Sequence, residues 1–155
     1  MFLYNEVQRR EANQERVRVG LIGAGKFGSM FLSQVPFSVG LEVISIVDIC
    51  VANAKKNCRD VGWTKEQIES VIFFDDLKKM VSQTKIDVLV EATGDPVEGT
   101  KHALIAIEER LDIVMVNVEA DVLSGPYLAK EADKAGVVYS LSLIHISEPT
   151  RRPKI

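Results

Sequence analysis

Short apolar runs alternate along this chain with longer stretches whose apolar residues recur at helical spacing. The runs read as strands at about 17–22, 41–48, 71–74, 86–92, 112–118 and 137–140. The segments between them read as helices at 26–35, 50–61, 76–82, 97–109 and 125–135. Val88-Leu89-Val90 and Ile113-Val114-Met115-Val116 are apolar at every position, as strands covered on both faces must be. Regular alternation of this kind predicts a parallel sheet with right-handed crossovers. The expected class is therefore α/β, a doubly wound sheet in the order 3-2-1-4-5-6, with a ligand crevice where the order reverses between the first and fourth strands. Ahead of it, Phe2 to Gln14 sets Leu3, Tyr4 and Val7 among charges at helical spacing, which predicts an amphipathic helix within residues 1–15, packed outside the sheet.

The first apolar run, Val17-Arg18-Val19-Gly20-Leu21-Ile22, leads directly into Gly23-Ala24-Gly25-Lys26-Phe27-Gly28, and Asp48 closes the second run 20 residues after the last glycine. A G-x-G-x-x-G turn between strand and helix, with an acid at that distance, has the form of a dinucleotide-binding turn. The three glycines meet three different demands. Gly23 makes the tight turn, Gly25 lets the backbone approach a pyrophosphate, and Gly28 lets the helix pack against the sheet. The helix beginning near Lys26 aims its N–H groups and positive dipole end at the phosphates. Asp48 is placed to accept hydrogen bonds from an adenosine ribose, which favours NAD, although Lys55 or Lys56 could reach a 2'-phosphate from the next helix. The expected cofactor is NAD or NADP. The alternative for Asp48 is a surface carboxylate capping the following helix.

The fourth run ends in Glu91-Ala92-Thr93-Gly94-Asp95-Pro96, a loop expected to pass under the nicotinamide half. Gly94 permits close approach and Thr93 can donate to a ribose or phosphate oxygen. Asp95 and Pro96 have the chemistry of a helix cap and first helical residue. Glu91 faces the crevice or forms a paired structural carboxylate. The fifth strand is expected to end in Val116-Asn117-Val118-Glu119-Ala120-Asp121, making Glu119 and Asp121 candidates for ribose or substrate contacts. His102 reads as a packing or surface histidine and Trp63 as the anchor of a loop. No nucleophile–base or metal-ligand constellation is visible, so no catalytic residue is assigned and no metal is expected.

The remaining properties narrow the class. The chain has 155 residues, 46% hydrophobic and 26% charged, enough for one domain with a real core. A net charge of -3 argues against a nucleic-acid surface. No apolar run approaches the ~20 residues of a membrane span, and the charged start lacks a secretory segment, so a cytoplasmic location is expected. Cys50 and Cys58, eight apart on one predicted helix, are too distant to bridge and are expected to be free thiols.

Three motifs in order carry a family resemblance: Arg18 through Phe31, Val90-Glu91-Ala92-Thr93-Gly94-Asp95-Pro96, and Val114-Met115-Val116-Asn117-Val118-Glu119-Ala120-Asp121. From about Val17 to Ser140 the chain resembles the cofactor domain of homoserine-dehydrogenase-like oxidoreductases. The nearer resemblance is to the 1-deoxy-D-xylulose-5-phosphate reductoisomerase-like branch, which carries a SAF domain further on. The resemblance implies a Rossmann fold over 16–140 and NAD(P)-dependent oxidation or reduction of a small hydroxy or keto compound such as a sugar phosphate. It allows a homo-oligomer for the full-length protein. Homoserine dehydrogenases proper carry an Asn-Lys pair where this chain has Glu119-Ala120, so the resemblance does not extend to homoserine dehydrogenase activity itself. A non-catalytic NAD(P)-sensing or regulatory module on the same fold is the alternative.

From Leu141 the resemblance stops. Leu141 through Arg151 is similar to the in-frame translation of a transposase-based sequencing adapter, so 141–155 is expected to be a non-native tail in which Ser142, His145, Glu148 and Arg151 are not sites. On that reading the chain is truncated before a substrate domain. A fragment holding half a site would retain cofactor affinity at best, with negligible turnover, because hydride transfer needs oriented donor and acceptor together.

Overall fold

The computed structural model describes residues 2–141. After helix α1 (Phe2–Ala12) comes a six-stranded sheet built from β1 (Val17–Ile22), β2 (Leu41–Val47), β3 (Ile72–Phe74), β4 (Val88–Glu91), β5 (Asp112–Met115) and β6 (Tyr139–Leu141). The order is β3-β2-β1-β4-β5-β6 and every pair is parallel, as the alternation of runs and helices predicts. The crossovers are α2 (Lys26–Gln34), α3 (Val51–Asp60) with α4 (Lys65–Ser70), α5 (Leu77–Gln83), α6 (Pro96–Glu108) and α7 (Val118–Ala135).

The period of two along each strand sorts its side chains onto two cores. Val19, Leu21, Val43, Ile46, Val90 and Val116 pack with Leu32, Ala54, Cys58 and Trp63 from α2, α3 and the segment after α3. Ile22, Val47, Leu89, Ile113 and Met115 pack on the other face with Leu77, Met80, Ala103, Ala106 and Leu128 from α5, α6 and α7. Helices cover both faces, which is why the central positions of these strands are mostly apolar, with Ser45 and Glu91 the buried polar exceptions. One register shift interrupts the β1–β2 ladder: Val19 pairs Val43 but Gly20 pairs Ser45, so Ile44 is an extra residue.

At the other end of the strands, α1 rests on the turn entering β2. A Cβ at Gly40, which has φ +76, would lie 2.6 Å from Val7 Cγ1. Glu11 accepts the Gly40 N–H at 2.8 Å and the Arg16 Nε–H at 2.9 Å. Arg18 joins β1 to the start of β4, donating its backbone N–H (2.8 Å) and Nε–H (2.9 Å) to Asp87 Oδ2.

Several boundaries differ from the sequence expectation. The strand expected over 112–118 stops at Met115, and α7, expected at 125–135, begins at Val118. The Asn117 side chain decides this by accepting the Ala120 N–H at 3.1 Å and starting the helix. Pro126 sits inside α7 instead of near its start, and its missing N–H leaves one i→i−4 bond unmade. The segment anchored by Trp63 contains an unforeseen helix, α4, started by a capping box between Thr64 and Gln67. The last strand, expected at 137–140, runs over 139–141, and Leu141 pairs with Met115. The rest of the adapter-like stretch, with Ser142, His145, Glu148 and Arg151, lies outside the described residues. Among the described residues, no helix is long and apolar enough to cross a membrane.

Candidate functional site

The turn from β1 into α2 is clamped from several sides. Gly23 adopts φ +86 and donates its N–H to the Val47 carbonyl at 2.8 Å. Ala24 is fully buried; its N–H donates to Asp48 Oδ2 at 2.9 Å, and its carbonyl accepts from Asn57 Nδ2 at 2.7 Å and Ser29 Oγ at 3.0 Å. A Cβ on Gly28 would fall 2.0 Å from the Gly23 carbonyl oxygen, so this glycine lets α2 pack against the turn itself, with Leu21 behind it at 3.6 Å. A Cβ on Gly25 would meet nothing within 4 Å. Gly25 therefore faces open space at the α2 N-terminus, beside exposed Lys26.

That N-terminus and the start of α3 are the two crossover-helix starts without a side-chain cap among the described residues. Thr64, Asp76, Asp95 and Asn117 cap α4, α5, α6 and α7 with their side chains, whereas no side chain caps α2. A helix start with its dipole turned to solvent and no side-chain acceptor suits an external anion.

Asp48 stands across the turn. Besides the Ala24 N–H it accepts the Cys50 N–H at 2.9 Å through Oδ1, and Cys50, whose side chain makes no cap bond, is the N-cap of α3. The expected alternative of a helix-capping surface carboxylate is thus replaced by a carboxylate joining two loops. Ile49 beside it is 100% exposed. The two lysines that could have reached a 2'-phosphate are engaged elsewhere: Lys55 Nζ lies 5.1 Å from the centre of the Phe73 ring, and Lys56 pairs with Asp60.

On the far side of β1 an open cleft of about 190 Å³ is lined by Phe27, Ala92, Gly94, Val116, Asn117, Val118 and Glu119. Gly94 has φ +80 and room around it. Asp95 accepts the Val97 and Glu98 N–H groups at 2.9 and 2.8 Å and is the α6 cap, with Pro96 next. Asn117, 2% exposed, donates through Nδ2 to the Asp95 carbonyl at 2.7 Å and so ties the starts of α6 and α7 together. Glu119 is exposed in the first turn of α7. Asp121 instead turns along the helix and accepts the Tyr139 hydroxyl at 2.8 Å. Burial, and then that carboxylate, hold the Tyr139 hydroxyl well above its ordinary titration range. Thr93 donates its hydroxyl to Glu91, not outward to a ribose or phosphate as its place in the loop predicts. Glu91 is the paired carboxylate of the two alternatives, fully buried and facing His102 Nδ1 at 3.2 Å.

The structure thus brings Gly23, Ala24, Gly25, Lys26, Gly28 and Asp48 to one side of the sheet's switch point and Thr93, Gly94 and Glu119 to the other, with Phe27 lining the cleft together with Gly94 and Glu119. Sequence reasoning missed Asn57, Ile49 and the Glu91–His102 pair. Asn57 carries no local signal, since its partner Ala24 is 33 residues away. Among the described residues, no group of three or more His, Cys, Asp or Glu side chains could hold a metal ion.

Comparison with known proteins decides the family. Residues 20–141 match the family described as homoserine dehydrogenase, NAD binding domain. The chain belongs to that family. It is an NAD-binding domain of the oxidoreductase type, and the open backbone at Gly25, the uncapped α2 and the carboxylate of Asp48 fit that cofactor. Solved structures similar to this domain include myo-inositol dehydrogenase from Lactobacillus casei in complex with NAD(H) and myo-inositol (19% identity, TM-score 0.69, 84% of this chain and 37% of that one). Another is the WlbA dehydrogenase from Bordetella pertussis in complex with NADH and UDP-GlcNAcA (21% identity, TM-score 0.67, 82% of this chain and 37% of that one). GenD2 from gentamicin A biosynthesis, in complex with NAD, is similar at 16% identity and TM-score 0.63, over 82% of this chain and 34% of its own. The chain spans about a third of the length of these structures. No curated protein matches it.

Proposed function

We propose that the NAD-binding domain holds NAD(H) in an extended pose across the switch point and serves an oxidoreductase acting on a small hydroxy or keto compound. The observation that carries the pose is the pairing of an open Gly25 with an uncapped α2 N-terminus. In this reading the pyrophosphate takes the place of the missing cap. Asp48 accepts from the adenosine ribose, exposed Ile49 lies against the adenine, and Gly94, Val116 and Glu119 border the nicotinamide. NAD is preferred over NADP, because the carboxylate would repel a 2'-phosphate and Lys55 and Lys56 are occupied. The bound cofactor would supply hydride acceptance and donation; the chain's own residues position it and shield one face.

The three motifs support the finer assignment to the branch with a SAF domain, and the sugar-related ligands named for two of the structural neighbours support a polyol, sugar or sugar-phosphate substrate. On this reading the substrate and the groups that move its proton meet the nicotinamide from a further domain. The 155-residue chain then binds NADH without turnover. Titration with NADH, NADPH and S-adenosylmethionine, read by energy transfer or quenching at Trp63, tests the pose. NADH binding tighter than NADPH, with no response to S-adenosylmethionine, is expected; saturable S-adenosylmethionine binding without NADH binding would overturn it. Sequencing the source locus across the Ser140 codon tests the tail: a frame that continues into a further domain agrees with it, and genomic codons for Leu141 to Ile155 would refute it.

A further inference from the structure

The buried polar cluster behind the cleft is not required by the nucleotide pose. Glu91 ends β4 with no exposed surface, a costly place for a carboxylate unless it is held by donors. Three donors converge on its Oε1: the Thr93 hydroxyl, the Thr93 N–H at 3.3 Å, and His102 Nδ1 at 3.2 Å in the tautomer that carries a proton there. Its Oε2 has no hydrogen-bond partner and lies where a Cβ on Gly99 would come within 3.2 Å. His102 projects from the second turn of α6 with its side chain 18% exposed.

The loop that these groups hold is the floor of the cleft. Thr93 is wedged on its other side, since a Cβ on Gly23 would lie 3.0 Å from Thr93 Cα. Two residues on, the loop is pinned again where Asn117 Nδ2 donates to the Asp95 carbonyl at 2.7 Å. Between the two pins lies Gly94, with φ +80 and open space around it. The height of Gly94 in the cleft is therefore set by its anchors and not by its own contacts.

We infer that Glu91 and His102 are positioning residues, a buried latch that fixes the Thr93-Gly94 loop against α6 and so selects for the nicotinamide half of the cofactor. The inference rests on the cofactor pose proposed above. Apolar residues of equal volume would fill this space with less cost, whereas only the polar pair ties the Thr93 hydroxyl to a helix.

The test uses the full chain and two ligands, NADH and ADP-ribose, which share the adenosine and pyrophosphate but differ in the nicotinamide. Isothermal titration of His102→Leu and Thr93→Val is expected to show NADH affinity about tenfold weaker, the scale of one lost hydrogen bond, while ADP-ribose affinity stays within about twofold. Glu91→Gln, whose amide oxygen still accepts from Thr93, is expected to keep NADH within about threefold of the unaltered chain. Parallel losses for both ligands would assign the cluster a merely structural role and overturn the latch, as would two variants that bind both ligands normally. An unaltered chain that binds neither ligand would overturn the cofactor pose itself, a result the variants do not enter.

Discussion

Alanine at Gly28 and alanine at Gly25, two glycines of one turn, should separate stability from binding. In Gly28→Ala the new methyl falls 2.0 Å from the Gly23 carbonyl oxygen and 2.9 Å from its carbon. A relaxed carbon–oxygen contact is ~3.3 Å or more, so the two must separate by roughly 1.3 Å. Gly23 cannot supply this, being held by its bond to Val47 and wedged against Thr93. Helix α2 must retreat instead, drawing fully buried Leu32 from the core and straining the 2.7 Å bond from Trp63 Nε1 to the Leu32 carbonyl. Overpacking of this kind costs ~1–3 kcal/mol, less the ~0.5–1 kcal/mol gained by removing a helical glycine. An overlap this deep belongs at the upper end, ~2–3 kcal/mol, so the net loss is about 1–2.5 kcal/mol and lowers Tm by roughly 2–10 °C for a domain of this size. Gly25→Ala adds a methyl with φ -72 and no neighbour within 4 Å, so Tm holds or rises slightly. In the proposed pose that methyl stands where the pyrophosphate approaches. Losing one charge-assisted hydrogen bond there weakens NADH by roughly 10–100-fold. Thermal melts and Trp63-monitored NADH titration of both variants suffice. Gly25→Ala with unaltered affinity, or Gly28→Ala with unaltered Tm, would refute the reasoning.

Three further outcomes are expected. Asp48→Asn keeps an acceptor for the Ala24 N–H but removes the charge, so the NADH-over-NADPH preference falls by about tenfold; paired titrations check it, and an unchanged ratio counts against Asp48 as the ribose contact. The Arg18 guanidinium, through its hydrogen bonds, holds the Asp87 carboxyl below the usual carboxylate range. Its stabilisation is therefore complete above the ordinary value near pH ~4 and is lost as pH falls through the lower native value. Because the Asp87 side chain is 39% exposed, Asp87→Asn should cost no more than ~1 kcal/mol at pH 7 and should flatten the acid limb of the stability profile; identical acid limbs would contradict the assignment. Burial pushes the Cys58 thiol up to about 11, so a maleimide at pH 8 should label Cys50 alone until the chain unfolds, and two labels on the native protein by mass spectrometry would oppose this.

The strand order was legible because each buried parallel strand must be apolar on both faces, and the glycine turn because three backbone demands meet at fixed spacing. The start of α7 was not. Val116-Asn117-Val118 continues a strand-like pattern, and only the reach of the Asn117 side chain to Ala120 ends it. Pro126 does not stop the helix, because packing on α6 and β6 carries α7 through it. Helix α4 was legible in principle, in Thr64 and Gln67 three apart. The pairing of Glu91 with His102 was beyond local reading: it depends on the rotation of α6 over the strand end, which no run of neighbouring residues encodes.

The placement of α1 has a practical side. Through Val7 and Glu11 it rests on Gly40 at the edge where β1 and β2 begin, and the cleft opens where the strands end. Six strand residues separate the two edges, roughly 20 Å. A tether attached at exposed Tyr4 or Asn5 would hold the molecule by its base, leaving the opposite rim turned toward the medium, the orientation a surface-based binding sensor requires.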